Sequence, residues 1–373
     1  MNYFDNFKKP SGLQGIPNVH MNRPIAPRAV SGDVGIEFEI EATNSLPWDT
    51  DVINTGIVPD GTTGAVWIAK EDNSLRGGVE YVTSSAISVD SVHPFMHGLY
   101  GNIKTFKSNL RFTNRCSTHV HLNASSWRVN TLTAFVVIWS LLETPLVEWC
   151  GPKRKTNHFC LAINDSTHTV DSVTSFLKTG MWTHRDGAKY STLNLLRLFD
   201  IGSVEVRCGD AWQDPNRAVA WVRLLNQIKK YAEGIKDPSN IPGEISGITP
   251  LGLLKDLTDK AGAGMIYDEL SAKFSEREFN RMCYQTFRET IHLCYHPWGD
   301  WLPEIEKEYI KNPFGDKKKY SLRDFADEVP PVPQPARPRA IRIQDIEALD
   351  NAARVAAEEI RRIQRVRNRE QGV

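Results

Sequence analysis

Short alternations of apolar and polar residues, four of them carrying acids or histidines, are the strongest pattern along this chain. They are Gly35–Glu41 (GIEFEIE), Val79–Val82 (VEYV), His119–Leu122 (HVHL) and Val204–Arg207 (VEVR). Successive side chains of a strand point to opposite faces. Ile36, Phe38 and Ile40 therefore enter a core while Glu37, Glu39 and Glu41 share the other face. By the same rule Val120 and Leu122 oppose His119 and His121, and Val204 and Val206 oppose Glu205 and Arg207. Ala65–Lys70 adds a fifth strand, and Tyr190–Leu195 is extended.

Helical periodicity fills the intervals. Val89–Ser108 reads as a helix started by Asp90 or Ser91, with Pro94 in its first turn. Asn130–Glu148 has the apolar density of a buried helix, broken or kinked near Pro145. The basic stretch GPKRKTN (Gly151–Asn157) then interrupts before a short helix. Asp171–Thr179 is helical, and Asn216–Ile235 places Ala218, Trp221, Val222, Leu225 and Ile228 on one stripe. Further helices are expected at 250–260, 266–273, 275–291 and 302–310.

Strands that alternate, instead of running continuously apolar, suit a sheet with one covered face and one face open to a cleft. The expected class is α+β, a curved antiparallel sheet backed by helices. The expected divisions are an irregular Pro/Gly-containing arm at 1–31, a core at 32–235, a helical extension at 236–328, and a Pro-rich link with an amphipathic basic helix at 329–373. That last helix, on Ile343, Ile346, Leu349, Ile360, Ile363 and Val366, needs a second subunit, a partner protein or an acidic patch to cover.

Composition narrows the classes. The chain has 373 residues, with Lys plus Arg equal to Asp plus Glu at 45 each. Nothing in that balance draws it to nucleic acid. The greasiest run, Leu132–Leu142, is interrupted by Thr133 and Ser140 and reads as a buried helix, not a membrane span. The first residues, MNYFDNFKKPSG, lack an apolar secretory core, so a cytoplasmic location is expected. The six cysteines form no CxxC pair and read as reduced thiols. Trp182, Trp212, Trp298 and Trp301 neighbour polar clusters, where they would wall a pocket or simply pack. Walker, Rossmann, nucleophile-elbow and HExxH motifs are all missing.

The candidate chemistry lies on the acidic face. Glu37 and Glu39 stand about 7 Å apart along a strand, able to flank one cation or serve neighbouring ones, and are read as ligands in preference to an exposed acidic edge. Glu80 and Glu205 add carboxylates from other strands. His119 and His121 are each a ligand, a substrate-orienting group or a satisfied core histidine. An HxH on a strand signals zinc, but carboxylates outnumber imidazoles, and hard oxygen donors favour Mg²⁺ with nucleotide phosphate. Cys116 is a soft ligand or, more simply, packed. Arg207 leads the groups that would offset phosphate charge, ahead of Arg111, Arg115, Lys153, Arg154, Lys155, Arg185, Lys189 and Arg197. Asn194 offers an amide. GPKRKTN is equally a solvated loop, and Asp72, Asn73 and Ser74 read as turn residues before Gly77-Gly78.

Taken in order, GIEFEIE (35–41), DNSLRGGVEYVTS (72–84), CSTHVHLN (116–123), KYSTLNLL (189–196) and GSVEVRCG (202–209) resemble the amidoligase family. These are carboxylate–amine ligases related in fold to glutamine synthetase and glutamate–cysteine ligase. The resemblance covers roughly residues 33–235, and the family includes bacteriophage proteins. It implies a half-barrel of antiparallel strands with ATP inside and Mg²⁺ bridging phosphates to strand carboxylates. Glu37, Glu39, Glu80 and Glu205 would then be metal ligands, with His119 or His121 completing the metal or phosphate shell. Arg207 would face the transferred phosphate. Asn194, Lys189 and Arg111 would contact the nucleotide, and Asp72 or Glu41 would accept the amine's proton. The substrates would be small-molecule, peptide or protein carboxylates and amines. A metal-dependent hydrolase and a catalytically silent assembly protein are the competing classes.

Overall fold

β-Branched and aromatic residues at alternate positions favour pleated, half-buried segments. In the computed structural model these segments become seven strands: β1 (Val34–Ala42), β2 (Trp67–Lys70), β3 (Gly78–Thr83), β4 (Leu110–Arg111), β5 (Ser117–Asn123), β6 (Leu193–Asn194) and β7 (Ser203–Asp210). The structure describes residues 31–42, 65–103, 110–155, 157–166, 168–170, 189–235 and 248–295. The chain divides into two compact units, Met1–Leu322 and Arg323–Val373, and every described residue belongs to the first. The expected arm, the helices at 171–179 and 302–310, the Pro-rich link and the terminal helix lie outside the described residues.

All pairings between strands are antiparallel, in the order β2-β3-β1-β5-β7-β6, with β4 pairing the end of β1. The sheet is open. Register fixes the faces: Glu39 lies opposite Glu80, Glu37 opposite His119, and His121 opposite Glu205. Asn194 also lies opposite Glu205. Ile36, Phe38, Ile40, Val120, Leu122, Val204 and Val206 occupy the other face, all buried in one core.

That core is closed by helices. They are α1 (Val92–Ile103), α2 (Val129–Cys150), α3 (Pro152–Lys155), α4 (Arg197–Asp200), α5 (Pro215–Gly234), α6 (Pro250–Ala261), α7 (Gly264–Lys273) and α8 (Glu276–Tyr295). On α5 the expected stripe is buried throughout. The helix begins where Asp214 accepts a hydrogen bond from the Asn216 amide, with Pro215 in the first turn, where its missing N–H costs nothing. α2 packs against α5 and α8 and is apolar on almost every side. Its Thr131–Cys150 window has the length and apolar content of a membrane span, mean hydropathy 1.4, yet 83% of it is buried inside the protein.

Several expectations need correction. α1 is preceded by a 3-10 turn, Val89–Ser91, so Asp90 and Ser91 lie inside that turn and Ser88 caps it; the Ser88 hydroxyl accepts from the Asp90 amide. α2 runs through Pro145 without a break, because packing on several sides compensates the lost hydrogen bond. Only Leu193–Asn194 of the extended 190–195 stretch is strand. GPKRKTN is not a solvated loop: Pro152–Lys155 is a helical turn and Arg154 is buried. The glycine pair does mark tight backbone. Gly77 has φ +68, and a Cβ on Gly78 would come within 2.5 Å of the Ile40 carbonyl oxygen.

Candidate active site on the acidic sheet face

Five strands supply the acidic face. Glu37 and Glu39 come from β1, Glu80 from β3, His119 and His121 from β5, Glu205 and Arg207 from β7, and Asn194 from β6. Among the described residues two groups of three potential ligands emerge. Glu37, His121 and Glu205 offer atoms within 4.8 Å of one another, and Glu39, Asp72 and Glu80 do the same. Asp72 thus joins from the turn before β3. Its carboxylate also accepts from the Ser74 amide at 2.7 Å, so the turn-residue reading and the site reading hold together.

Glu37 is gripped between the two imidazoles. Its carboxylate faces His119 Nδ1 at 3.0 Å and His121 Nε2 at 3.0 Å. The remaining ring nitrogens turn to hydroxyls, His119 Nε2 to Ser117 at 2.7 Å and His121 Nδ1 to Ser203 at 3.0 Å. Ser117 also donates to Glu39. His119 Nδ1 lies 3.5 Å from Glu205 and 3.8 Å from Glu39, at the centre of three carboxylates. Glu205 accepts from Asn194 Nδ2 at 2.6 Å and from the Arg207 guanidinium.

The electrostatics follow from crowding. Burial alone would raise Glu37, but the facing His121 charge and the hydrogen bonds from both imidazoles hold it well below the ordinary carboxylate range. Burial likewise opposes ionisation of Glu205, and Arg207 with His121 overcomes it, keeping that carboxyl low. Glu39 is pushed up, chiefly by burial. Glu80 rises to about 8 through burial and the neighbouring charges of Glu37 and Glu39. Burial lowers His121, but Glu37 outweighs it and the imidazole is raised.

Five carboxylates share this face with Arg207 and two imidazoles. Such an excess of hard oxygen donors, with Glu80 forced towards its neutral form, is what a divalent cation would relieve. The donor set therefore fits Mg²⁺. In the two ligand groups one position is imidazole and five are carboxylate, which favours a hard cation over zinc.

The face has two distinct ends. At one end stand Glu39, Glu80, Ser117 and Arg207. Arg111 is exposed beside Glu41, its cross-strand partner. Glu41 itself is buried and accepts from the Arg76 amide at 2.8 Å. At the other end opens a cavity of about 700 Å³ whose wall is mixed, with Ile36, Val82 and Ile201 beside Glu37, His121, Lys70, Thr83, Ser84, Ser85 and Ser203.

Other candidates are placed elsewhere. Lys189 is exposed, its ammonium 5.1 Å over the ring of Tyr190. Arg115 donates to the Ser74 carbonyl at 2.5 Å and Lys153 to the Phe112 carbonyl at 2.6 Å. Cys116 is packed, its thiol 3.4 Å from the Arg111 carbonyl. Trp212 belongs to a core cluster of indoles, with Trp149, 5.0 Å away, and Trp221. Trp182, Trp298, Trp301 and Arg185 lie outside the described residues.

Ser117, Ser203 and Lys70 were not singled out from the sequence. The signal was there: 117, 119 and 121 share parity on β5, as 203, 205 and 207 do on β7, and Lys70 lies opposite Glu80.

No curated protein matches the chain. A family model described as "Putative amidoligase enzyme" matches residues 104–229, the stretch that contains β5, β6, β7 and most of α5. That match supports an amide-bond ligase enzyme. The resemblance carried by the ordered strand motifs is to the amidoligase family, and residues 104–229 are where the family model meets it.

Proposed function

We propose that this chain is an ATP- and Mg²⁺-dependent carboxylate–amine ligase, its sheet curved as in glutamine-synthetase-like half-barrels. The γ-phosphoryl group of ATP passes to a substrate carboxylate, giving an acyl phosphate and ADP. An amine then attacks the acyl carbon, phosphate leaves, and an amide remains. Small-molecule, peptide or protein acids and amines are the substrate classes.

One observation carries the reading: two ligand groups, Glu37–His121–Glu205 and Glu39–Asp72–Glu80, stand beside Arg207, with Glu39, His121 and Glu205 buried and Glu37, Asp72, Glu80 and Arg207 partly open to solvent. Of these, Glu37, Glu39, Glu80, His121 and Glu205 would hold Mg²⁺, which would supply neutralisation of phosphate charge, leaving Asp72 free for proton transfer. Arg207, held by Glu205, presents a planar guanidinium to the transferring phosphoryl oxygens. His119 and His121 keep Glu37 oriented, and Asn194 keeps Glu205 oriented, so the face needs little reorganisation when charge moves. Asp72 takes the proton released by the attacking amine. The cavity at the Glu37–His121 end holds one of the joined molecules, and the bound substrates themselves shield the acyl phosphate from water.

The test is product detection by mass spectrometry with pooled acids and amines, in the presence and absence of ATP and Mg²⁺. With an ¹⁸O-labelled acid, one label must appear in inorganic phosphate. An amide that forms without ATP, or label kept wholly in the acid and amide, would overturn the mechanism. Zinc retained through purification by a protein that binds no nucleotide would favour the hydrolase class instead.

A further inference from the structure

We infer that Arg154 is a positioning residue that sets the place of Arg207 by bracing a bulge in β7. The inference rests on the ligase reading for Arg207's role and goes beyond it.

The register of β5 against β7 slips by one residue. Thr118 pairs Gly209, while Val120 pairs Val206. His119 on β5 is therefore opposed by two residues on β7, Arg207 and Cys208. A bulge takes a residue out of the regular ladder, bends its strand and re-aims side chains. Here it falls on the guanidinium that faces the acidic groups. The Arg207 amide donates to the Thr192 carbonyl at 2.8 Å. Its carbonyl accepts from Arg154 Nη2 at 2.7 Å, and Arg154 Nη1 reaches the Cys116 carbonyl at 3.4 Å. One planar fork thus spans β7 at the bulge and the residue leading into β5, a job that a point-charge ammonium does less well.

Arg154 is an unusual residue to spend on backbone. It is only 1% exposed. Its hydrogen bonds go to carbonyls, and its Nε has no hydrogen-bond partner among the described residues. Burying a guanidinium whose hydrogen bonds go to carbonyls, with the Asp210 carboxyl as a charge within electrostatic reach, is costly, so a simple surface anchor would not need it. Its neighbours in the same segment act alike: Lys153 donates to the Phe112 carbonyl and Asn157 to the Asn114 carbonyl at 2.6 Å. The segment therefore clamps the 112–116 turn, and among its described residues Arg154 carries the clamp across to Arg207.

A double-mutant cycle on the full chain tests this, reading Mg·ATP affinity by calorimetry and thermal midpoint in parallel. Arg154→Met is expected to weaken Mg·ATP binding by about tenfold or more, as misplacement of a charge contact does. In an Arg207→Met background it should add less than about twofold, because the two act as one unit. Arg154→Lys, which keeps the charge but only part of the fork, should bind with intermediate affinity. Losses that multiply across the cycle, or unchanged binding in Arg154→Met, would overturn the inference. So would an Arg154→Lys variant that does not fold, which would make the residue purely structural. Wild-type protein that binds no Mg·ATP would instead sink the ligase reading.

Discussion

Glu143, on α2, is a carboxyl enclosed by the core. It accepts from Trp139 Nε1 at 3.2 Å, from the Ile163 amide at 3.1 Å and from the Thr192 hydroxyl. Burial outweighs these donors and pushes it up to about 7. The folded state then holds a proton that the unfolded chain releases at its lower, ordinary value. Its contribution to stability is therefore present at low pH and declines as pH rises towards about 7. Glu143→Gln should flatten that decline, so the difference in urea-unfolding free energy between wild type and variant should change between pH 5 and pH 8. An identical pH dependence in both proteins would refute it. Nearer the chemistry, Glu37→Ala should abolish Mg·ATP turnover in a folded protein. Glu205→Ala should do so at an added cost on the order of 3 kcal/mol, because the inward guanidinium of Arg207 loses its partner. Circular dichroism with calorimetry would separate the two outcomes. The acids themselves were legible from alternation alone. Their sorting was not: whether His119 or His121 groups with carboxylates depends on which strand lies beside β5, and no local spacing carries that.

At the level of elements, the long strands and the α5 stripe were readable because one periodicity ran uninterrupted through each. The bulge was hidden for the opposite reason. A one-residue slip shows only when β7 is laid against β5, and VEVRCGD reads as plain alternation until then. GPKRKTN misled because polarity suggested solvent, whereas Arg154 is fixed by carbonyls from two other segments. Gly209 closes the bulge. A Cβ there would sit 2.4 Å from the Thr118 carbonyl oxygen and 2.9 Å from Trp221 Nε1. Gly209→Ala should therefore force the strands apart, at roughly 1–3 kcal/mol, and weaken Mg·ATP binding together with thermal stability. A variant with wild-type midpoint and affinity would show that the strands yield without cost.

For the whole molecule, the described fold belongs entirely to Met1–Leu322. A chain ending at Leu322 should keep the thermal transition of the sheet and its Mg·ATP binding, and light scattering should reveal any change in assembly. Loss of the transition would make the terminal segment part of the fold. The indole cluster offers a practical return. Trp221 lies 5.9 Å from Trp149, 6.2 Å from Trp212 and 6.5 Å from Trp139, and its Nε1 would stand 2.9 Å from a Cβ at Gly209, two residues after Arg207. Because the helix that carries Trp221 packs on β5, movement where β5 meets β7 should change the surroundings of a buried set of fluorophores, and the protein's own ultraviolet emission can then follow occupancy of the face without any attached dye.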